Sequence, residues 1–163
     1  MAVILVEGIT DRIALEATAR RLGLDPAARG VEIVPIGGAH AVARVAAGYD
    51  DVRLAGLCDD GEERYFRRAL GDAVFVCRAD LEDELVRAVG PERAEAVLAA
   101  QGDLDTFRSF QNQPFWRGRP VEAQLRRWLQ ASDRRGKRYP PLLLDALEPE
   151  EIPAPLAGVL SSV

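Results

Sequence analysis

Acidic side chains follow three of the four short apolar segments in this sequence. Glu7 follows the first segment, Asp59 follows the third, and Asp80 comes three residues after the fourth. If these segments are parallel strands, their carboxyl ends meet at one edge of a sheet, where the functional groups of α/β proteins gather. Carboxylates brought together there repel one another and raise their own pKa values unless a cation lies among them. The spacing therefore predicts a divalent metal site at this edge.

The metal that we predict is Mg²⁺ or Mn²⁺, because the available donors are oxygens. The chain has one His and two Cys, and both Cys lie inside apolar segments, which disfavours zinc. Each acid also has a simpler interpretation, since acidic residues stabilise the first turn of a helix. Glu7 has the weakest explanation of that kind, because it stands directly at a strand end before Gly8. The acids concerned are Glu7, Asp11, Asp59, Asp60, Glu62, Glu63, Asp80, Glu82, Asp83 and Glu84.

Four segments rich in Val, Ile, Leu and Phe must place these acids. They lie at residues 2–6, 31–35, 52–58 and 73–77, and helix-like segments separate them. Their apolar residues are continuous rather than alternating, which is typical of strands that are covered on both faces of a parallel sheet. The order βαβαβαβ predicts an α/β fold with a four-stranded parallel sheet.

The sequence after residue 80 predicts helices alone. They cover residues 81–89, 91–101, 121–131 and 139–147. The second of them starts with a proline, which is favourable in the first turn of a helix. We therefore predict an α/β core over residues 1–90 and a small helical C-terminal subdomain over residues 91–163.

The net charge of −5 conceals an uneven distribution of charge along the chain. All nine basic residues after position 100 lie between Arg108 and Arg138, a segment that holds only two acids. An acidic front half with a basic rear segment is typical of an enzyme that holds cations with carboxylates and a polyanion with arginines. The alternative is an ordinary solvated helix face. The nucleic-acid contacts that we predict are Arg117, Arg119, Arg126, Arg127 and Arg138.

Several classes of protein are disfavoured by features that the sequence lacks. No apolar run approaches the roughly 20 residues of a membrane span, and no basic region precedes the first apolar segment as it would in a signal peptide. We therefore expect a cytoplasmic protein without a membrane partner. No GxGxxG, GxxxxGK[ST], HExxH or GxSxG motif is present, which disfavours dinucleotide-binding proteins, NTPases, zincins and serine hydrolases of the elbow type.

Three stretches of the sequence resemble one protein family. They read LVEGITDRIALE from Leu5 to Glu16, RADLEDEL from Arg78 to Leu85 and GKRY from Gly136 to Tyr139. The strand that runs into Glu-Gly, followed by an Asp after the third strand, resembles the Toprim domain of topoisomerases, primases and some nucleases. The three stretches in this order resemble the Toprim nuclease region of the overcoming-lysogenization-defect (OLD) family of endonucleases. The resemblance covers most of the chain and implies a Rossmann-like Toprim core.

The resemblance also implies an activity and a set of site residues. The family hydrolyses phosphodiester bonds of DNA with two divalent cations, and RNA is the other substrate that we consider. Glu7 would take part in catalysis together with Lys137, which would stabilise the transition state, and Asp59 would bridge the two cations. The implied metal ligands are Glu7, Asp11, Asp59, Asp80 and Glu82, with Asp60, Glu62 and Glu84 as further candidates.

Two departures from the family pattern leave alternatives open. The second acid of the family's DxD element falls on Gly61, so that Asp60 or Glu62 replaces it or one cation binds weakly. Family members usually carry an ATPase domain in front of the Toprim strand, so a separate ATPase subunit is a candidate partner. A non-catalytic Toprim module that binds nucleic acid or a partner is the main alternative function. A receiver-like phosphoacceptor at Asp59 fits less well, because Lys137 lies too far along the chain.

Overall fold

A sheet of four parallel strands forms the centre of the computed structural model, which describes residues 1–163. The strands are β1 (Ala2–Val6), β2 (Val31–Pro35), β3 (Arg53–Asp59) and β4 (Val74–Cys77). Their order across the sheet is β2-β1-β3-β4, so that β1 and β3 are the inner strands. The predicted α/β fold with a four-stranded parallel sheet is confirmed.

Nine α-helices accompany the sheet, and short 3-10 turns lie at Ala39–Ala41, Asp60–Glu62 and Pro149–Glu151. None of the helices is long and apolar enough to cross a membrane. The helices are α1 (Ile9–Arg21), α2 (Val42–Ala46), α3 (Glu63–Leu70), α4 (Leu81–Val89), α5 (Pro91–Ala100), α6 (Leu104–Gln111), α7 (Val121–Gln130), α8 (Asp133–Asp145) and α9 (Ala154–Ser161).

Alternate residues of β1 enter two separate hydrophobic cores. Ile4 and Val6 belong to the larger core, and Val3 and Leu5 belong to the smaller one, which also contains Phe66 of α3. Successive side chains of a strand point to opposite faces, so an inner strand with both faces covered needs apolar residues at every position. This requirement explains the continuous apolar run from which the strand was predicted.

The helical C-terminal part packs onto the sheet instead of building a core of its own. The larger core holds Leu15 of α1 together with Trp128 of α7, Tyr139 of α8 and Leu156 of α9. Helix α8 packs along α1, and α9 packs against β4. The division predicted at residue 90 coincides with the turn between α4 and α5, and residues 91–163 contain no strand. Both parts nevertheless share one large core.

The C-terminal helices differ from the predicted pattern in number and length. Helices α6 and α9 were not predicted, and α8 begins six residues before the helix predicted from residue 139. The Ser132 hydroxyl caps α8 by accepting a hydrogen bond of 3.4 Å from the backbone N–H of Arg135. Pro140 and Pro141 lie inside α8 and cannot donate helical hydrogen bonds. Packing against α1 maintains the helix across them.

The two chain termini lie beside the same loop, which precedes β2. A Cβ atom added to Gly30 would lie 3.9 Å from the Cα of Met1. The guanidinium of Arg29 donates a hydrogen bond of 2.8 Å to the backbone carbonyl of Val163. Because β1 starts at this loop and runs to Val6 at the opposite edge, both termini lie at the amino edge of the sheet.

Candidate functional site

The predicted acidic site is built around Asp59 at the carboxyl edge of the sheet. Asp59 is the last residue of β3, and Glu7 directly follows the neighbouring strand β1. The backbone N–H of Asp59 donates a hydrogen bond of 3.3 Å to Glu7 Oε1, which joins the two strand ends. The chain passes from β1 to β2 on one side and later to β3 on the other, and ligands of open α/β sheets bind at such a switch point.

Asp11 enters the site from the first turn of α1 and also caps that helix. Its Oδ2 accepts a hydrogen bond of 2.9 Å from the backbone N–H of Gly8. Burial, together with repulsion from Glu7 and Glu82, raises the pKa of Asp11 to about 6 against the opposing effect of that hydrogen bond. The helix-start interpretation and the site interpretation therefore both apply to this residue.

The pKa of Asp59 shows that the acids of separate elements converge. Burial raises this pKa to about 8, and repulsion from Asp11, Glu7, Asp80 and Glu82 acts in the same direction. These acids come from the ends of β1 and β3 and from the first turns of α1 and α4. The other four acids that were predicted as metal ligands therefore all lie within electrostatic range of Asp59.

Asp80 is the most firmly bonded of the five acids. It caps α4 by accepting a hydrogen bond of 2.9 Å from the backbone N–H of Asp83. Its other oxygen, Oδ2, accepts from Arg126 at 2.8 Å (Nε) and 2.5 Å (Nη2) and from Gln130 at 2.8 Å. Arg126 was predicted as a nucleic-acid contact, and the structure pairs it with this acid. The charge of Asp80 is therefore balanced within the protein.

Glu82 lies two residues further along α4 and is less constrained. Its Oε2 receives only a long hydrogen bond of 3.4 Å from Gln130. Burial is the largest cause of its raised pKa, and repulsion from Asp80 adds to it. Glu82 is thus an acid with free acceptor capacity, as a metal ligand needs to be.

The three further candidates differ in their surroundings. Asp60 is exposed, and Glu62 lies close enough to Glu7 to contribute to the raised pKa of that residue. Glu84 is buried and accepts a hydrogen bond of 2.8 Å from the backbone N–H of Arg78, and it also pairs with Arg87 at 3.3 Å. Its carboxylate therefore holds the turn between β4 and α4.

Lys137 lies in α8, beside the start of α1. A Cβ atom added to its neighbour Gly136 would lie 3.8 Å from Oγ1 of Thr10, the residue before Asp11. The Lys137 ammonium pairs with Asp133 one turn away at 2.8 Å, and both side chains are exposed. The backbone next to Lys137 therefore lies close to the start of α1, and solvent can replace the ion pair of Lys137 at little cost.

The predicted arginines divide into two groups. Arg117 and Arg119 fold back onto their own loop, where they donate to the carbonyls of Asn112 at 2.9 Å and Phe115 at 2.6 Å. Arg138 donates to Gln101 at 2.5 Å. Arg127 is exposed and makes no ion pair or hydrogen bond through its guanidinium, so it is the freest of the predicted contacts.

The donor chemistry of the site suits a hard divalent cation. All five acids offer oxygen, and both cysteines are buried, with burial raising the pKa of Cys58 to about 12. As they stand, no three acidic, His or Cys side chains form a group close enough to bind one ion. The acids nevertheless influence one another electrostatically, since Glu7, Asp11, Asp80 and Glu82 all act to raise the pKa of Asp59.

Sequence reasoning missed the two residues that hold Asp80. Arg126 was predicted to contact nucleic acid, and Gln130 was not singled out. They lie 46 and 50 positions from Asp80 in the sequence. The available signal was their spacing, because residues four apart occupy one face of a helix and can reach the same partner.

Comparisons with known proteins find one family match and several solved structures with a similar fold. Residues 1–55 match the family described as overcoming lysogenization defect protein-like, TOPRIM domain. The C-terminal region of the Burkholderia pseudomallei OLD protein matches with a TM-score of 0.70 at 15% identity, over 99% of this chain and 95% of that chain. The C-terminal region of the Xanthomonas campestris pv. campestris OLD protein matches with a TM-score of 0.68 at 19% identity, over 98% and 92%. No curated protein sequence matches.

The predicted resemblance to the OLD-type Toprim region is confirmed by these matches. The family match covers the part of the chain that contains Glu7 and Asp11. The structural match extends over the C-terminal helices as well, so the Toprim core and the helices packed on it form one shared fold.

Proposed function

We propose that this Toprim-fold chain is a metal-dependent nuclease that hydrolyses phosphodiester bonds of DNA. The observation that carries the proposal is the position of Asp59, which ends an inner strand and whose pKa burial and four other acids raise to about 8. An arrangement of this kind lowers the stability of the metal-free protein, and acids with strongly perturbed pKa values are common in catalytic sites.

The residues that would hold Mg²⁺ or Mn²⁺ are Glu7, Asp11, Asp59 and Glu82. Bonds to Asp59 and Gly8 fix the carboxylates of Glu7 and Asp11 at the start of α1. Bound among these oxygens, a divalent cation would supply an activated water and neutralise the charge that develops on the phosphate. Asp80 would have a positioning role, since its hydrogen bonds to Arg126 and Gln130 orient the start of α4, where Glu82 lies.

Lys137, which lies in α8 beside the start of α1, would supply positive charge to the phosphate. Its partner Asp133 is 82% exposed, so the ion pair between them is weak in water. A phosphate oxygen that approached the acids would offer the ammonium a stronger partner, and a compact ammonium can serve as a point charge in the transition state.

Nicking of supercoiled DNA tests the proposal directly. The parent should nick the plasmid with Mg²⁺ or Mn²⁺ and should stop when EDTA is added. Asp59→Asn should lose this activity, whereas Asp145→Asn should keep it, because Asp145 is an exposed acid at the end of α8, away from the site. Equal nicking by parent and Asp59→Asn would contradict the proposal.

A non-catalytic Toprim module that binds nucleic acid or a partner ATPase is the second candidate. Two observations favour it, the neutralisation of Asp80 by Arg126 and the Gly61 that stands at the second DxD position. In that case no metal should promote cleavage, and DNA affinity should be the same with Mg²⁺ as with EDTA.

A further inference from the structure

The helical part contains a cavity of about 450 Å³ that is separate from the acidic edge. It lies between α6, α7, the loop at residues 112–120 and the start of α8, and we call it the aromatic cavity. This volume is within the range of about 300–1,000 Å³ that small-ligand sites occupy. The lining residues that matter here are Ser109, Phe110, Trp116, Arg127, Trp128 and Arg135.

One wall of the aromatic cavity consists of two packed aromatic rings. The rings of Phe110 and Trp116 have centroids 5.2 Å apart. The backbone carbonyl of Trp116 accepts a hydrogen bond of 2.7 Å from Gln124, which is buried and receives a further hydrogen bond of 2.8 Å from Gln111. The fold therefore fixes the partly exposed Trp116 in place and offers an aromatic surface at low entropic cost.

The opposite side of the aromatic cavity is positively charged. Arg127 is exposed and unpaired, and Arg135 lies over the Trp128 ring with its guanidinium carbon 4.1 Å from the ring centroid. Arg135 also donates a hydrogen bond of 3.1 Å to the Trp128 carbonyl. No acidic side chain lines the cavity, so its potential favours an anion.

A buried donor without a partner lies in the same lining. Trp128 is 1% exposed, and its Nε1 is the only buried side-chain nitrogen or oxygen in the protein that lacks a hydrogen-bond partner. Buried polar groups are nearly always paired, and an unpaired one is a reason to look for a ligand. The indole of Trp128 therefore keeps an unused donor next to the Arg135 guanidinium that covers its ring.

We infer that the aromatic cavity binds one nucleotide of a single-stranded nucleic acid, with the base against Trp116 and the phosphate at Arg127. Every base has a face that stacks on aromatic rings, and single-strand binders combine such rings with arginines. This inference deepens the proposed function and rests on it, since both require nucleic acid. A free nucleotide has the same base and phosphate, so the test must separate the two sources.

Helix α7 connects the aromatic cavity to the acidic edge. Arg126 contacts Asp80 at the edge, and Arg127 lines the cavity. Successive residues of a helix point about 100° apart around its axis. A strand that crossed α7 could therefore place one nucleotide in the cavity while a neighbouring phosphate approached the acids.

The protein carries its own reporter for this site. Trp116 and Trp128 are its only two tryptophans, and both line the aromatic cavity. A short oligo-dT strand, titrated in EDTA so that no cleavage occurs, should quench the intrinsic fluorescence. If the site binds a strand, thymidine monophosphate should quench the fluorescence only at a much higher concentration than oligo-dT does. If the site binds a free nucleotide, the two should quench it at similar concentrations.

Variants locate the binding. Trp116→Ala should weaken binding of labelled oligo-dT, measured by anisotropy, by about fivefold or more, which is the lower end of the effect of losing one stacked base. Trp116→Phe keeps an aromatic surface and should bind nearly as well as the parent. Arg127→Gln should weaken binding and reduce its salt dependence, whereas Arg134→Gln, an exposed arginine of α8 outside the cavity, should change it less.

Two results would overturn the inference. The first is that neither oligo-dT nor the mononucleotide quenches the fluorescence. The second is that Arg127→Gln and Arg134→Gln bind oligo-dT with equal affinity while Trp116→Ala binds it as tightly as the parent. Nicking by the parent without quenching would reject the cavity and leave the nuclease proposal intact. Quenching without nicking would reject the nuclease and leave the cavity intact.

Discussion

The fold strongly raises the pKa of Asp59. Its pKa rises to about 8 from an ordinary value of 3.8, and the pKa of Asp11 rises to about 6. Both residues bind protons more tightly in the folded state than in the unfolded state. Between the ordinary pKa of 3.8 and the raised pKa of about 8, the folded protein binds more protons than the unfolded chain does. The free energy of unfolding therefore falls as the pH rises through this range.

This sign leads to a prediction for the metal-free protein. In EDTA, thermal unfolding followed by circular dichroism should give a higher Tm at about pH 5 than at about pH 8. Asp59→Asn should raise the Tm near the upper pH and change it little near the lower one, because an amide is always neutral. Mg²⁺ should stabilise the parent more than the variant at the upper pH. A parent Tm that rose from the lower to the upper pH would contradict this account.

Lys137 is the only lysine in a chain with 20 arginines. If only positive charge mattered at this position, arginine would be expected here too, so replacing Lys137 by Arg tests whether the shape of the side chain matters. We expect Lys137→Arg to lose most nicking activity while it binds DNA nearly as well. A guanidinium is a broad fork that would displace neighbouring ligands, whereas an ammonium is a compact charge. The loss should be roughly 3 to 4 kcal/mol of transition-state stabilisation, or two to three decades of rate.

Single-turnover cleavage at saturating metal measures the effect of Lys137→Arg. Arg134→Gln, which changes a neighbouring exposed arginine, is the control for general changes in charge. A Lys137→Arg rate within about threefold of the parent, less than 1 kcal/mol, would remove Lys137 from the catalytic residues.

At the scale of the elements, two side chains of α7 bind Asp80, the residue that caps α4. Arg126 pairs with Asp80, whose side chain is only 10% exposed, and Gln130 shares the same oxygen. Removal of the Arg126 guanidinium leaves the largely buried Asp80 carboxylate without its charged partner, which is destabilising. We expect Arg126→Gln to lower the Tm of the metal-free protein by several degrees, as an effect of about 1–2 kcal/mol would.

The metal response of Arg126→Gln decides the role of Asp80. If Asp80 is a metal ligand, Mg²⁺ should raise the Tm of this variant more than that of the parent, because the cation replaces the lost guanidinium. An equal response in the two proteins would leave Asp80 with a purely structural role. Arg134→Gln should show the parent's response.

The elements also show what sequence reasoning could predict. The strands and the positions of Glu7 and Asp59 were predicted because a continuous apolar run is a local signal, and the residue at its end is then fixed. The bond between Asp80 and Arg126 depends on how α7 packs against α4, and no local pattern encodes it. The start of α8 was placed at residue 139 because residues 133–138 are charged or glycine and give no apolar periodicity, whereas the packing of α8 along α1 is a tertiary feature.

At the scale of the whole molecule, the α/β core and the C-terminal helices share one hydrophobic core. Leu15 of α1 is fully buried in the same core as Trp128 and Leu156. A fragment of residues 1–90 would expose the α1 face of the sheet to water. We expect this fragment to show no cooperative thermal transition and to bind the dye ANS, as partly folded chains do. A cooperative transition in the fragment would show that the core folds alone.

Met1 and Val163 both lie beside the loop before β2, which has a practical consequence for engineering. Five residues of β1 separate this loop from the acids, or about 16 Å at the rise of a strand. A fluorescent label or tether at either terminus would therefore sit opposite the acidic edge. A Gly/Ser linker from Val163 to Met1 would also allow circular permutation, with new ends opened at exposed Gly118 in the loop 112–120, and the strands and helices that carry the acids would stay uncut.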